Sequence, residues 1–163
     1  MKTPKMYHLK RPAHDWELAY LAGVMDGEGC IHIARLNDNR PRLVGREPTM
    51  SYRVYVQVSM VDRVGVSLFE EIFGGCVMFS RRTGRSAKYR PIWRWDISSG
   101  RAVYVIDTLL PWLRVKRPQA LLALEFGRGV KQPGYRGYTT EQVAEKHALH
   151  LRMRGLKQIA VNE

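Results

Sequence analysis

The chain has 163 residues, 45% of them hydrophobic, and 27 Lys and Arg against 15 Asp and Glu give it a net charge of +12. This length suits one domain with a real core, and this composition excludes extensive disorder. No apolar run reaches the roughly 18 residues of a membrane span, no apolar N-terminal stretch marks a secretion signal, and two cysteines, Cys30 and Cys76, make neither a disulfide framework nor a closed zinc site.

The first helix is expected over residues 13–26, where Trp16, Ala19, Tyr20, Gly23 and Val24 recur at helical spacing. It runs into Gly27, Glu28 and Gly29, and Cys30 to Asn37 then reads as a strand. Asp38 to Thr49 has the composition of a loop. Ser51 to Val61 is the clearest strand, with Tyr52, Val54, Val56, Val58 and Met60 on one face and Arg53, Tyr55, Gln57 and Ser59 on the other. Arg63 to Phe73 is a short helix stopped by Gly74 and Gly75. Cys76 to Arg82 is a third strand, followed by a basic turn. Tyr89 to Ile97 is a fourth, with Trp93, Trp95 and Ile97 opposite Ile92, Arg94 and Asp96. Ala102 to Leu113 is a helix that Pro111 should bend, and Pro118 to Phe126 is another with proline at its start. After a linker, Thr139 and Gln142 form a capping box for a last helix ending near Val161. The order implies an α+β fold, an antiparallel four-stranded sheet with helices on one face.

The charge excess points to a polyanion, because cationic side chains bind phosphates with release of counterions. It is uneven: seven basic residues and one acid, Asp96, lie between Arg81 and Arg101, and Arg35, Arg40, Arg42, Arg46 and Arg53 flank the long loop. The basic residues fall among strands, not along one amphipathic helix, which disfavours a membrane surface. A sheet face carrying Arg53, Tyr55, Gln57 and Ser59 suits a DNA groove, since Arg matches guanine and Gln adenine. An ordinary solvated face is the alternative.

Asp26 and Glu28 alternate with glycines directly after the helix. One reading is a hard-cation site, in which a carboxylate and a backbone carbonyl hold Mg²⁺ against a phosphodiester. The other is a helix stop with two solvated acids. His147 and His150, three apart on the last helix, have no third ligand nearby, so a surface or core role is expected for them. Trp93 and Trp95 are expected in the core. No P-loop, serine nucleophile elbow or zinc pattern occurs.

The stretch "LAGVMDGEG", Leu21 to Gly29, resembles the signature of the LAGLIDADG homing endonucleases at Leu21, Ala22, Gly23, Asp26 and Gly29, with Glu28 at the position of the family's acid. The element order over about residues 14–126 is similar too, and "PWLRVKRPQA", Pro111 to Ala120, looks like the family's segment bearing a basic active-site lysine, here Lys116. The resemblance implies the LAGLIDADG fold, a saddle-shaped sheet in the order α-β-β-α-β-β-α, as a single domain spanning residues 1–163 with a C-terminal helix at 139–161. It implies a site-specific DNA endonuclease with Glu28 and Lys116 as catalytic residues. Glu28 and the Gly27 carbonyl would hold Mg²⁺, with Ca²⁺ as a non-catalytic substitute and Mn²⁺ as a further option. The sheet would contact double-stranded DNA through His32, Arg35, Arg40, Arg42, Arg53, Tyr55, Gln57, Ser59, Arg81, Arg82, Arg85 and Arg94. With a single motif, the resemblance implies a homodimer through the motif helix, involving Ala19, Gly23 and Asp26. That dimer would act on a long, nearly palindromic site and cut across the minor groove to leave short 3′ overhangs. No small-molecule cofactor and no membrane partner are expected. The expected location is intracellular, in the cytoplasm of a prokaryote or in an organelle, and the origin intron-encoded. One departure stands out: Met60 occupies the place of a polar residue, often Gln, near the end of the second strand, and Gln57 and Asp62 are both candidate substitutes. An intron RNA maturase and a catalytically silent DNA-binding module are the alternative readings on the same fold.

Overall fold

The computed structural model describes residues 7–37, 50–81, 88–129 and 138–159. Helix α1 (Asp15–Glu28) leads into strand β1 (Gly29–Asn37), followed by β2 (Met50–Met60), α2 (Arg63–Phe73), β3 (Val77–Ser80) and β4 (Ile92–Ser98), then α3 (Ser99–Leu109), α4 (Arg117–Gly129) and α5 (Thr140–Ile159). The sheet has the order β1-β2-β4-β3, and every neighbouring pair is antiparallel. The expected α+β arrangement is the observed one.

Alternation along β2 fixes the two sheet faces. Tyr52, Val54, Val56 and Val58 are buried, and the register pairs Val54 with Ile33, Val56 with Ile31 and Ile97, and Val58 with Trp95. The helices pack on this side, contributing Leu21, Ala22, Met25, Phe69, Ile72, Val105, Ile106, Leu122 and Leu124 to one core. Trp95 is fully buried, as expected for a core indole, and its Nε1 donates to the Gly74 carbonyl at 2.8 Å. That approach requires glycine next door: a Cβ on Gly75, whose φ is +92°, would stand 2.9 Å from the indole nitrogen.

Several element boundaries differ from the sequence expectation. α1 continues through Gly27 and Glu28, so Asp26, Gly27 and Glu28 belong to its last turn. β3 is only four residues long, and β4 begins at Ile92 after Pro91, which has no N–H for the ladder. α3 ends at Leu109 without a bend, because a helical Pro111 would lack the N–H to Asp107 and crowd its carbonyl; Pro111 lies instead in the following turn. Pro118 falls in the first turn of α4, where its missing N–H costs nothing.

α5 begins at the expected reciprocal cap, with Thr139 N donating to Gln142 Oε1 at 3.0 Å and Gln142 N to Thr139 Oγ1 at 3.3 Å. It then lies along the edge strand β1. His147 Nδ1 pairs with the Tyr52 hydroxyl at 2.9 Å, and His150 Nδ1 donates to the Ile33 carbonyl at 2.7 Å. Both histidines therefore anchor a helix, and the second satisfies an outward-facing carbonyl of an edge strand. Before α1, the chain is tied down by Glu17. This buried carboxylate takes Arg11 at 2.7 and 3.2 Å and the His14 backbone N–H at 2.9 Å. The Arg11 hydrogen bond, then the one from His14, holds its pKa down at about 2.

Candidate nucleic-acid interface and acid–lysine site

α1 is apolar on two sides. Leu18, Leu21, Ala22 and Met25 enter the chain's own core, and Val24 packs against it. Most of the periodic set read from the sequence points the other way. Trp16 is 68% and Tyr20 50% exposed, Gly23 and Gly27 are exposed, and Ala19 is half-buried. Cβ atoms on Gly23 or Gly27 would meet nothing within 4 Å, so neither glycine is required inside this chain. Gly29 is different, because a Cβ there would lie 2.5 Å from the Met25 carbonyl oxygen. Neither Gly27 nor Gly29 has a positive φ, so conformational freedom is not the reason for glycine at either position.

The last turn of α1 carries Asp26 and Glu28 and no basic residue. A helix C-terminus has partial negative charge and favours cations, so two carboxylates there sit against the helix dipole. Asp26 is compensated within the chain. Its carboxylate accepts the backbone N–H of Arg114 at 2.7 Å and of Lys116 at 2.8 Å, and its carbonyl accepts the Lys116 ammonium. The Asp26 carboxylate is thus engaged by the 114–116 loop. Glu28 is exposed and has no hydrogen-bond or ion-pair partner among the described residues. The Gly27 carbonyl belongs to the last helical turn, where carbonyls lack intrahelical partners. A free carboxylate beside a free carbonyl is a donor set that fits a hard divalent cation. Among the described residues no group of three or more His, Cys, Asp or Glu gathers to hold a metal, so further oxygens would have to come from water, phosphate or a second chain.

The sheet face away from the helices carries the predicted DNA-contacting residues of β2, with their neighbours set by register. Arg53 is exposed and stands opposite Ala34; Tyr55 stands opposite His32, and the two rings stack at 5.4 Å. Gln57 lies between Cys30 and Asp96 and donates to Ser59 at 3.2 Å, and Ser59 lies beside Arg94. Arg94 forms an ion pair with Asp96 at 3.2 Å. Arg35 pairs with Tyr52, so its side chain belongs to the helix-covered side, at an exposed strand end. Arg81 is exposed just beyond β3, on no strand. Arg40, Arg42, Arg82 and Arg85 lie outside the described residues.

Met60 ends β2 on the core side, with its sulfur placed so that a Cβ on Gly65 would stand 2.9 Å away. Neither sequence candidate for its missing polar role is uncommitted. Asp62 caps α2 by accepting Val64 N–H at 2.7 Å, and Gln57 bonds Ser59. A polar group that the sequence reading passed over is Gln119, one turn beyond Lys116, whose buried Oε1 has no hydrogen-bond partner. Cys30 sits half-buried on the open face, between His32 at 3.5 Å and Lys157 at 3.0 Å. The His32 contact first, and Lys157 after it, lower its thiol to about 7 against the opposing effect of burial.

The exposed acid Glu28 thus ends a helix whose Asp26 carbonyl accepts the Lys116 ammonium, and the antiparallel sheet carries a polar, Arg-bearing face. The fold is that of the LAGLIDADG homing endonucleases. The chain is similar to the homing endonuclease I-CvuI in complex with its target (TM-score 0.65, 22% identity, covering 86% of this chain and 82% of that one). It is likewise similar to the archaeal intron-encoded endonuclease I-Vdi141I complexed with DNA (0.64, 14% identity, 87% and 84%). A third similar structure is the group I intron-encoded endonuclease I-CeuI complexed with DNA (0.58, 16% identity, 88% and 68%). No protein-family model and no curated protein matches the sequence. No helix among the described residues is long and apolar enough to cross a membrane.

Proposed function

We propose that this protein is a site-specific DNA endonuclease that acts as a homodimer on a long, nearly palindromic duplex. The observation that carries the reading is the free carboxylate of Glu28, held at the negative end of α1 in a chain of net charge +12. Phosphate is attracted to the protein as a whole, and a cation is required where phosphate meets that acid. Glu28 and the Gly27 carbonyl would hold Mg²⁺, which when bound supplies Lewis-acid stabilisation and lowers the pKa of water. Lys116, brought to the same helix end by its bond to the Asp26 carbonyl, would donate to a phosphate oxygen or orient the attacking water.

The two-sided apolarity of α1 supports the dimer. A contiguous apolar helix face is ordinarily buried, and the uncovered side of α1 bears Trp16, Tyr20 and the bare backbone at Gly23 and Gly27. A two-fold contact there would bring two Glu28 residues to one DNA minor groove, one for each strand, with short 3′ overhangs as the product. The face bearing Arg53, Tyr55, Gln57, Ser59 and Arg94 would follow the major groove of a half-site. The test is Glu28→Gln. Cleavage of a bound site should disappear while DNA affinity in Ca²⁺ stays within about threefold, the spread expected of a surface change that removes no DNA contact. Loss of affinity together with cleavage would make Glu28 a structural acid and refute the role.

A further inference from the structure

Asp26 lies in the motif, two residues before the proposed metal-binding acid, and the fold gives it an unusual set of partners. One residue binds both ends of Lys116. The Lys116 backbone N–H donates to Asp26 Oδ1 at 2.8 Å, and its ammonium donates to the Asp26 carbonyl oxygen. The second carboxylate oxygen, Oδ2, accepts Arg114 N–H at 2.7 Å. Between them Val115 projects outward, 68% exposed, as alternation requires when residues 114 and 116 both turn their N–H groups to one acceptor.

These bonds explain features that packing does not. The 114–116 segment belongs to neither α3 nor α4, so its N–H groups have no ladder or helical partner. Asp26 supplies the acceptors, and each bond is charge-assisted. Lys116 is also the residue whose carbonyl receives the first bond of α4, from Ala120 N at 2.9 Å. Asp26 therefore sets where α4 starts as well as where the ammonium sits. A lysine side chain has four rotatable bonds and no preferred direction of its own. Closing it into a ring through one residue of α1 fixes the ammonium relative to Glu28, in the same helical turn.

We propose that Asp26 is a positioning residue that acts through Lys116, and not a contact between protomers. This rests on the endonuclease reading for its consequence, and on the three hydrogen bonds for its geometry. The residue should matter for the rate of phosphodiester cleavage and little for DNA binding, because its carboxylate faces the 114–116 loop.

The test uses Asp26→Ala and the isosteric Asp26→Asn, which keeps one acceptor oxygen, in the full chain with and without Lys116→Met. Hydrogen exchange of the Arg114 and Lys116 amides, measured without DNA, should lose protection in Asp26→Ala. The single-turnover cleavage rate should fall roughly 100-fold, the scale set by misplacing a catalytic group by about an ångström, and less in Asp26→Asn. Affinity in Ca²⁺ and dimer mass should be unchanged. In the Lys116→Met background the same substitutions should cost less than about twofold, since residues acting as one unit are not additive. Retained amide protection in Asp26→Ala would overturn the contact. Halved mass or an undiminished cost beside Lys116→Met would overturn the role. If the wild-type chain cuts no duplex while amide protection still depends on Asp26, the endonuclease reading fails and the contact alone stands.

Discussion

Gly23→Leu separates the two sides of α1, because its effects on the single chain and on the dimer have opposite signs. Within one chain Gly23 is an exposed helical residue, and an added Cβ would meet nothing within 4 Å. Leucine is the better helix former by roughly 0.7 kcal/mol, so the folded monomer should gain about that much. For a chain of 163 residues this is a rise of about 2 °C in the midpoint of thermal unfolding. In a two-fold dimer that packs α1 against its copy, two leucines enter a contact built for bare backbone. Overpacking costs roughly 1–3 kcal/mol per site, so about 2–6 kcal/mol for the pair, which weakens dimerisation from about thirty-fold to more than ten-thousand-fold. Sedimentation over a concentration series measures association, and unfolding at low concentration measures the monomer. An unchanged association constant would remove the outer face of α1 from the interface. A lowered monomer midpoint would show that Gly23 is packed inside the chain after all.

Arg53→Ala should relax the choice of base at one position per half-site by roughly 1–3 kcal/mol, measured as relative affinities for singly substituted duplexes; a uniform loss across all of them would reassign Arg53 to phosphate contact. Glu17 should govern acid stability. Its pKa of about 2 lies below its usual 4.5, so its contribution is fully present above about 4.5 and disappears as pH falls through 2. Denaturant unfolding of the wild type and Glu17→Gln should show a stability gap at neutral pH that closes toward pH 2, and a gap independent of pH would refute the Arg11–Glu17 account.

The strands and their faces were legible because alternation in β2 is strict and buried positions tolerate only one register. Helix α2 was legible to the residue, since Arg63 to Phe73 is periodic and ends in two glycines with positive φ. What local pattern does not carry is the partner. Periodicity found α1 but not which side enters its own core, because both sides are apolar and only the tertiary fold assigns Leu21 inward and Tyr20 outward. The side taken by Arg35 is set in the same way, because a charged residue at a strand end suits either face and only its pairing with Tyr52 assigns one. The Asp26 bonds join positions about ninety residues apart and could not be read from spacing. The fold brings the end of α1 to the loop that carries Lys116.

Selection from a randomised duplex library, run in parallel with Mg²⁺ and with Ca²⁺ and read by sequencing bound and cut molecules, tests the central claim most directly. The account predicts enrichment of one nearly palindromic site in both conditions. Cutting should occur in Mg²⁺ only, at one phosphodiester per strand across the centre of that site. Selective binding without cutting in Mg²⁺ would contradict the roles given to Glu28 and Lys116, and the absence of any selected duplex would contradict the endonuclease itself.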